Sequence, residues 1–193
     1  MALCSKTILG TVQFGLDYGV NNVEGKPSVE TVKKILDIGY SKGIGILDTA
    51  EAYGDSQEII GRYHKQADNK FKIITKFSAF RKDLPDKIIE RVESNIKTLN
   101  IDTLYCYMYH SFLDFITFYE RDICGIRELK ITGLIRKLGV SVYTNEELEK
   151  VLEFKEVDII QLPFNLFDNN NLRGKIMMKA KSNGIEIHTR STF

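Results

Sequence analysis

A regular alternation of short apolar runs and amphipathic helical stretches constrains the fold of this chain more than any other feature. The apolar runs predict seven strands, over residues 7–14, 44–48, 71–76, 103–110, 138–142, 158–162 and 185–188. Several of these runs are continuously apolar, which is typical of strands covered on both faces in a parallel sheet. Strands that alternate with helices predict right-handed βαβ units and therefore an α/β protein.

The stretches between the strands place their apolar residues on one face, as amphipathic helices do. Three such faces consist of Val29, Val32, Ile35, Leu36 and Tyr40, of Ile88, Ile89, Val92, Ile96 and Leu99, and of Leu148, Val151 and Leu152. Thr144 followed by Glu147 has the spacing of a capping box at the start of the third helix. Glycine, which is common just after the end of a helix, follows three of the helical stretches, at Gly43, Gly133 and Gly184.

Two architectures compete for this pattern, an open doubly wound sheet and a closed (β/α)8 barrel. The open sheet usually carries GxGxxG after its first strand, and Gly10, Gly15 and Gly19 do not have that spacing. The barrel is therefore favoured, although a barrel takes about 250 residues. With 193 residues, the chain supplies about seven of the strands. We predict one domain over residues 1–193, a (β/α)8 TIM barrel that is truncated at its C-terminal end.

Composition excludes several classes of function. The chain is 43% apolar and 27% charged, as in an ordinary soluble globular protein, and its formal net charge is +1. A balanced charge predicts no nucleic-acid partner and no attraction to acidic membranes. No apolar run approaches the roughly 18 residues that a membrane span needs, and the N-terminus lacks the pattern of a signal peptide.

The cysteines and histidines argue against a disulfide framework and against a metal site. Cys4, Cys106 and Cys124 are odd in number and widely spaced, which indicates a reducing compartment and predicts a cytoplasmic location. The histidines, at positions 64, 110 and 188, do not combine with them into zinc-ligand spacing.

Polar side chains follow three consecutive strands at the point where each strand ends. Asp48 ends the second strand and Tyr53 lies in the loop after it. Lys76 ends the third strand and His110 ends the fourth. Because the working site of a (β/α)8 barrel lies at the C-terminal ends of its strands, these four side chains are expected to converge on one rim.

Each of the four residues also has a structural interpretation. Asp48 could cap a turn, and Tyr53 could fill a gap with its hydroxyl in water. Lys76 could extend from the barrel mouth into solvent, and His110 could be a hydrogen-bonded structural histidine. The joint pattern is more specific than any single member, because all four mark the same end of consecutive strands.

A carboxylate, a phenol, an ammonium and an imidazole together suit proton donation to a carbonyl. A phenol has a reference pKa near ~10, and a nearby ammonium stabilises the phenolate and lowers that value. The carboxylate holds the ammonium, and the imidazole can hydrogen-bond the carbonyl oxygen. The set therefore predicts reduction of an aldehyde or ketone when a hydride donor lies on the other face.

Five segments, DTAEAYG, ITKF, YMYHS, GVSVY and QLPFN, resemble the aldo-keto reductase superfamily in order and spacing, over essentially the whole chain. The segment LGTVQFGLDYGVNN is similar to a bacterial branch of it. The resemblance implies a (β/α)8 barrel, a nicotinamide cofactor, NADPH or NADH, and a small-molecule carbonyl substrate. It makes Tyr53 the general acid, tuned by Lys76 and Asp48, with His110 positioning the substrate.

The resemblance also implies residues that bind the cofactor. Ser141 and Gln161 would hold the nicotinamide carboxamide, whereas Val142 stands where the family usually has asparagine. Asn165 is a further candidate for the pocket. The full set of expected cofactor-binding residues is Gly10, Gln13, Asp48, Ser141, Gln161, Arg190 and Ser191. Candidates for substrate contact are Tyr18, Asn21, Phe112, Phe115 and Phe118, although the three phenylalanines could equally pack the helix that follows.

The family binds the cofactor's phosphates with residues that would lie beyond Phe193. Three explanations are open: the chain is part of a longer protein, which we favour, it is a truncated product, or it completes its barrel with another copy. The alternatives to an enzyme are accordingly a cofactor-binding regulatory protein and an inactive truncated homologue. The sequence does not indicate the oligomeric state, the natural substrate or a preference between NADH and NADPH.

Overall fold

In the computed structural model, which describes residues 6–20, 22–165, 167–168 and 170–191, strands and helices alternate as predicted. The strands are Leu9–Gly10 (β1), Ile46–Asp48 (β2), Lys72–Phe77 (β3), Cys106–Tyr109 (β4), Leu138–Ser141 (β5), Ile159–Pro163 (β6) and Glu186–Arg190 (β7). The helices are Val12–Gly15 (α1), Val29–Ser41 (α2), Ser56–Gln66 (α3), Ile88–Leu99 (α4), Phe112–Ile131 (α5), Asn145–Val151 (α6) and Lys175–Ser182 (α7), the last preceded by a π-helical turn over Asn170–Gly174. Cys4, Asn21 and Phe193 lie outside the described residues.

All seven strands form one parallel sheet in chain order, β1-β2-β3-β4-β5-β6-β7. This order, with a helix after each strand from β2 to β6, confirms the predicted α/β class and an incomplete (β/α)8 barrel. The assignment of the whole chain to a single domain stays a prediction.

Successive side chains on each strand alternate between the helices outside the sheet and the space that the sheet curves around. The large outer core includes Leu47, Ile73 and Tyr107, packed against the helices. A separate, smaller apolar cluster consists of Ile74, Cys106, Met108 and Ile159. Ile74, Met108 and Ile159 each lie two residues before a polar residue, which is Lys76, His110 and Gln161 respectively. The polar side chains at the strand ends therefore lie next to an apolar layer of the barrel interior.

The first strand is shorter than predicted, because the sequence indicated a strand over residues 7–14. The ladder ends where the backbone N–H and the hydroxyl of Thr11 both donate to the carbonyl of Asp48, each at 3.0 Å. The chain then turns, with Phe14 N–H donating to the Thr11 carbonyl at 2.9 Å, and forms the single turn of α1. The apolar residues that suggested a longer strand pack in this turn instead.

The predicted helix signals are confirmed. Thr144 and Glu147 form the capping box of α6, with both reciprocal hydrogen bonds present. The three glycines at helix ends have positive φ angles, at Gly43, Gly133 and Gly184. Within the part of the chain that the structure describes, no helix combines the length and the apolarity that crossing a membrane requires.

Replacing Gly61 by alanine is expected to destabilise the fold by about 1–3 kcal/mol, the usual cost of overpacking a filled interior. Gly61 lies on α3, and a β-carbon at this residue would stand 1.9 Å from the carbonyl oxygen of Thr98 at the end of α4. Since the obstacle is a backbone atom, the two helices have to move apart. Urea unfolding followed by circular dichroism measures the loss.

Gly45→Ala is the matched control, because a β-carbon at Gly45 would meet no atom within 4 Å. Its unfolding free energy should stay within about 0.5 kcal/mol of the parent value, as for most substitutions away from packed features. Equal unfolding curves for the two alanine variants would contradict the close helix contact at Gly61.

Candidate active site

The four side chains predicted from the strand ends meet at one rim of the barrel. Asp48 is the last residue of β2, Lys76 lies on β3, and His110 directly follows β4. The Lys76 ammonium, which is 3% exposed, forms an ion pair with the Asp48 carboxylate. It also donates to the Tyr53 hydroxyl at 3.5 Å and to the Thr49 carbonyl at 3.4 Å. One buried cation therefore joins the carboxylate to the phenol.

Tyr53 is held by a tightly packed turn between β2 and α3. Gly54 has a φ of 55°, in the left-handed region that glycine adopts without strain. The turn lies against α1 so closely that a β-carbon on Gly15 would stand 1.8 Å from the Tyr53 carbonyl oxygen. The half-buried phenol ring points toward His110, with ring centroids 5.9 Å apart in an edge-to-face arrangement.

The charges at the rim are set by burial and by each other. Burial opposes the charge of Lys76, but the Asp48 carboxylate and the Tyr53 hydroxyl outweigh it and hold the lysine pKa above its ordinary value. Burial lowers the pKa of His110, and the nearby Lys76 ammonium lowers it further. At neutral pH the rim therefore holds a charged lysine beside a neutral imidazole, which can donate one N–H.

Gln161 reaches across the barrel to the same carboxylate. Its Nε2 donates to Asp48 Oδ2 at 2.5 Å, although the two residues lie on β6 and β2. Ser141 is the register partner of Gln161 on the neighbouring strand, and both side chains are buried. The Asp48 carboxylate is thus shared between an ammonium and an amide, and a hydroxyl lies beside that amide.

The remaining predicted cofactor residues differ in how they lie relative to this rim. A β-carbon on Gly10 would meet nothing within 4 Å, so the inner side of β1 is open there. Arg190 stacks its guanidinium 4.4 Å from the centroid of the Tyr143 ring, and Ser191 follows it with a φ of 55°. Gln13 is not part of the cluster, because its exposed amide donates to the Tyr18 carbonyl at 3.0 Å.

Three further sequence expectations can be placed. Val142, which directly follows β5, is fully buried in the outer core. Phe115 is also fully buried and packs on Tyr109 and Phe154, so it is part of the core rather than a pocket wall. Tyr18 is 59% exposed in the loop after α1.

A buried polar network behind the rim was not predicted. Glu51, 1% exposed, accepts hydrogen bonds from Arg91 at 2.7 Å and from Asn95 and Tyr107 at 2.8 Å. The sequence contains an indication of this network, because two polar residues, Arg91 and Asn95, lie on the apolar face of α4. Arg91 is three residues after Ile88, and Asn95 is four residues before Leu99. A charged residue on a buried helical face requires a partner.

Among the residues that the structure describes, no group of three or more histidine, cysteine, aspartate or glutamate side chains is arranged to hold a metal ion. Cys106 is buried and Cys124 is exposed, and both are free thiols.

Comparison with known proteins connects this geometry to a family. The model of the aldo/keto reductase family matches residues 6–193. The chain belongs to the aldo/keto reductase family. This confirms the resemblance drawn from the sequence motifs, whereas the roles of the individual rim residues stay a matter of proposal.

Bacterial proteins are among the curated relatives and the solved structures that resemble this chain. The aldo-keto reductase YhdN of Bacillus subtilis is 32% identical over 171 residues, which cover 83% of this chain and 50% of that protein. The NADH-specific methylglyoxal reductase of Escherichia coli is 27% identical over 171 residues, which cover 77% of this chain and 52% of that protein. A solved structure of a putative aldo-keto reductase from Pseudomonas aeruginosa superposes with a TM-score of 0.74 at 27% identity, covering 94% of this chain and 71% of that one. The chain thus spans about half the length of the curated relatives it matches.

Proposed function

We propose that this aldo/keto reductase family member reduces an aldehyde or ketone with a nicotinamide cofactor. The observation that carries the proposal is the buried Lys76 ammonium placed between the Asp48 carboxylate and the Tyr53 hydroxyl. A phenol beside a fixed ammonium is a better proton donor than a phenol in water, because the phenolate that remains is stabilised. A structural role alone does not call for a buried cation directed at a half-buried phenol.

Each rim residue takes one part of the reaction. Tyr53 Oη donates a proton to the carbonyl oxygen of the substrate. Lys76 stabilises the phenolate, and Asp48 holds Lys76 in place. His110, neutral because of its burial and its neighbouring lysine, donates an N–H to the carbonyl oxygen and orients the substrate beside Tyr53.

The polar groups inside the rim suit a nicotinamide. Ser141 offers a hydroxyl and Gln161 an amide oxygen, which together match the N–H and C=O groups of a carboxamide. Gln161 can accept through Oε1 while its Nε2 stays on Asp48. Arg190 and Ser191 at the end of β7 are the candidates for contact with the phosphates. When bound, the cofactor supplies the hydride that goes to the carbonyl carbon.

The substrate we propose is a small-molecule carbonyl compound, and the cofactor is NADPH or NADH. One relative is named as an NADH-specific methylglyoxal reductase, which makes methylglyoxal a reasonable first compound to test. A cytoplasmic location is part of the same proposal, since the free thiols of Cys106 and Cys124 fit a reducing compartment.

A second candidate function is binding of the cofactor without turnover, as in a regulatory or inactive homologue. It needs the buried Ser141 and Gln161 side chains for the carboxamide and gives no role to the Tyr53–Lys76 pair. Against it stands the complete set of rim residues, which binding alone does not require.

Titration with NADPH and NADH, followed by assays of cofactor oxidation with methylglyoxal and a panel of aldehydes and ketones, separates these functions. Saturable binding together with carbonyl-dependent oxidation supports the reductase. Saturable binding with no oxidation for any compound supports the binding protein. Absence of binding of either cofactor contradicts both.

A further inference from the structure

The buried network around Glu51 joins the two segments that carry Tyr53 and Lys76. Glu51 precedes Tyr53 by two residues, and its backbone N–H donates to the carbonyl of Lys76 at 3.1 Å. Its carboxylate accepts from the backbone N–H of Ser78 at 2.9 Å. The same residue therefore ties the turn after β2 to the end of β3 through both its main chain and its side chain.

Arg91 closes this connection from α4. Its guanidinium donates to the Glu51 carboxylate at 2.7 Å and to the Ser78 carbonyl at 2.6 Å. It also stacks 4.4 Å from the centroid of the Phe77 ring, the residue that follows Lys76. Arg91 is 4% exposed and Glu51 is 1% exposed, so the ion pair between them is shielded from water.

The other partners of Glu51 extend the network to two more elements. Tyr107, on β4, donates its hydroxyl to Glu51, and it lies three residues before His110. Asn95 donates to Glu51 and accepts from Gln57 at 2.7 Å, which in turn donates to Thr75 at 2.6 Å. The segments that carry Tyr53, Lys76 and His110 are thereby all connected by hydrogen bonds to Glu51.

Stability alone is a weak reason for this arrangement. Burying two opposite charges costs much of what their attraction returns, and apolar replacements of such pairs are often equally stable. What a buried, fully hydrogen-bonded carboxylate provides is a single allowed geometry for the segments that it joins.

We propose that Glu51, held by Arg91, is a positioning residue that fixes the separation between Tyr53 Oη and Lys76 Nζ. This inference rests on the proposed function, and it adds a residue that touches neither substrate nor cofactor. Because proton transfer depends on that separation, loosening the network slows the chemical step. A displacement on the order of 1 Å can cost about 100-fold in rate.

The test uses the double variant Glu51→Gln with Arg91→Met, which removes both charges together and leaves no unpaired buried charge. The single amide oxygen of the glutamine can keep the bond from the Ser78 N–H, while its amide N–H group faces Tyr107, whose hydroxyl can accept a hydrogen bond. We expect kcat to fall about 10- to 100-fold while KM and the cofactor Kd change less than about threefold. In crystal structures of parent and variant, the Tyr53 Oη to Lys76 Nζ distance should lengthen from 3.5 Å by about 1 Å.

Leu129→Ala is the matched control for loss of stability. Leu129 is 1% exposed in the core on α5, and its truncation lowers stability without touching the network. It should leave kcat within about twofold of the parent, since a merely destabilised protein keeps its rim geometry in the folded fraction.

The proposal is overturned if the double variant keeps its kcat, or if the Tyr53–Lys76 separation is unchanged, or if Leu129→Ala lowers kcat equally. A parent protein that reduces no carbonyl compound would instead count against the proposed function. In that case the two crystal structures still decide whether Glu51 sets the separation.

Discussion

Replacing Tyr53 by phenylalanine is expected to lower kcat for carbonyl reduction by about 100- to 10,000-fold, the usual contribution of a positioned general acid. The phenyl ring still packs edge-to-face on His110, whose centroid lies 5.9 Å away. Only the proton donor next to the Lys76 ammonium is lost. Cofactor affinity and the unfolding midpoint should therefore stay near the parent values.

Tyr40→Phe is the matched control for the loss of a hydroxyl. Tyr40 is a 37% exposed residue on α2, away from the rim. Steady-state oxidation of the reduced cofactor, measured for both variants with the best carbonyl substrate of the panel, makes the comparison. A Tyr53→Phe protein that works as fast as the Tyr40→Phe protein would remove Tyr53 from the proposed mechanism.

Replacing Lys76 by methionine is expected to cost about 3–5 kcal/mol of folding stability, as for other buried ion pairs that lose one partner. The Lys76 and Asp48 side chains are only 3% and 13% exposed, so the carboxylate left behind lies largely out of water. The amide of Gln161 still donates to it. This effect is independent of cofactor and substrate and is measured by urea unfolding of the protein alone.

Lys97→Met, at an exposed position on α4, is the same substitution without a buried partner and should change stability by less than about 0.5 kcal/mol. Adding Asp48→Asn to Lys76→Met should recover part of the loss, because the unpaired charge is then removed and the two effects are not additive. If Lys76→Met is no less stable than Lys97→Met, the ion pair does not have the buried character described for the rim.

The fold follows from the sequence to a large extent, because parallel strands covered by helices leave a strong pattern of apolar runs and amphipathic faces. All seven strands were predicted, and the main departure is the first, where the chain turns into α1 directly after Thr11. The signal failed there because Val12 and Phe14 are apolar in either conformation.

The rim was predictable because strand ends converge in a barrel, which brings Asp48, Lys76 and His110 together without knowledge of any side-chain contact. The hydrogen bond between Gln161 and Asp48 could not be predicted, because it joins residues 113 positions apart in the sequence across the barrel interior. The Glu51 network was also missed. The network depends on how α4 packs on the sheet. The positions of Arg91 and Asn95 on the buried face of α4 indicate that a partner is needed, but they do not identify Glu51 as that partner.

Whether the rim reduces carbonyl compounds can be read from a single-turnover experiment with cofactor deuterated at the transferable nicotinamide position, followed by mass spectrometry of the alcohol that is formed. We expect deuterium on the carbinol carbon with the parent protein, and a rate of label transfer lower by about 100-fold or more with Tyr53→Phe at saturating cofactor. Label transfer at equal rates in both proteins, or none in a parent protein that binds the cofactor, would contradict this expectation.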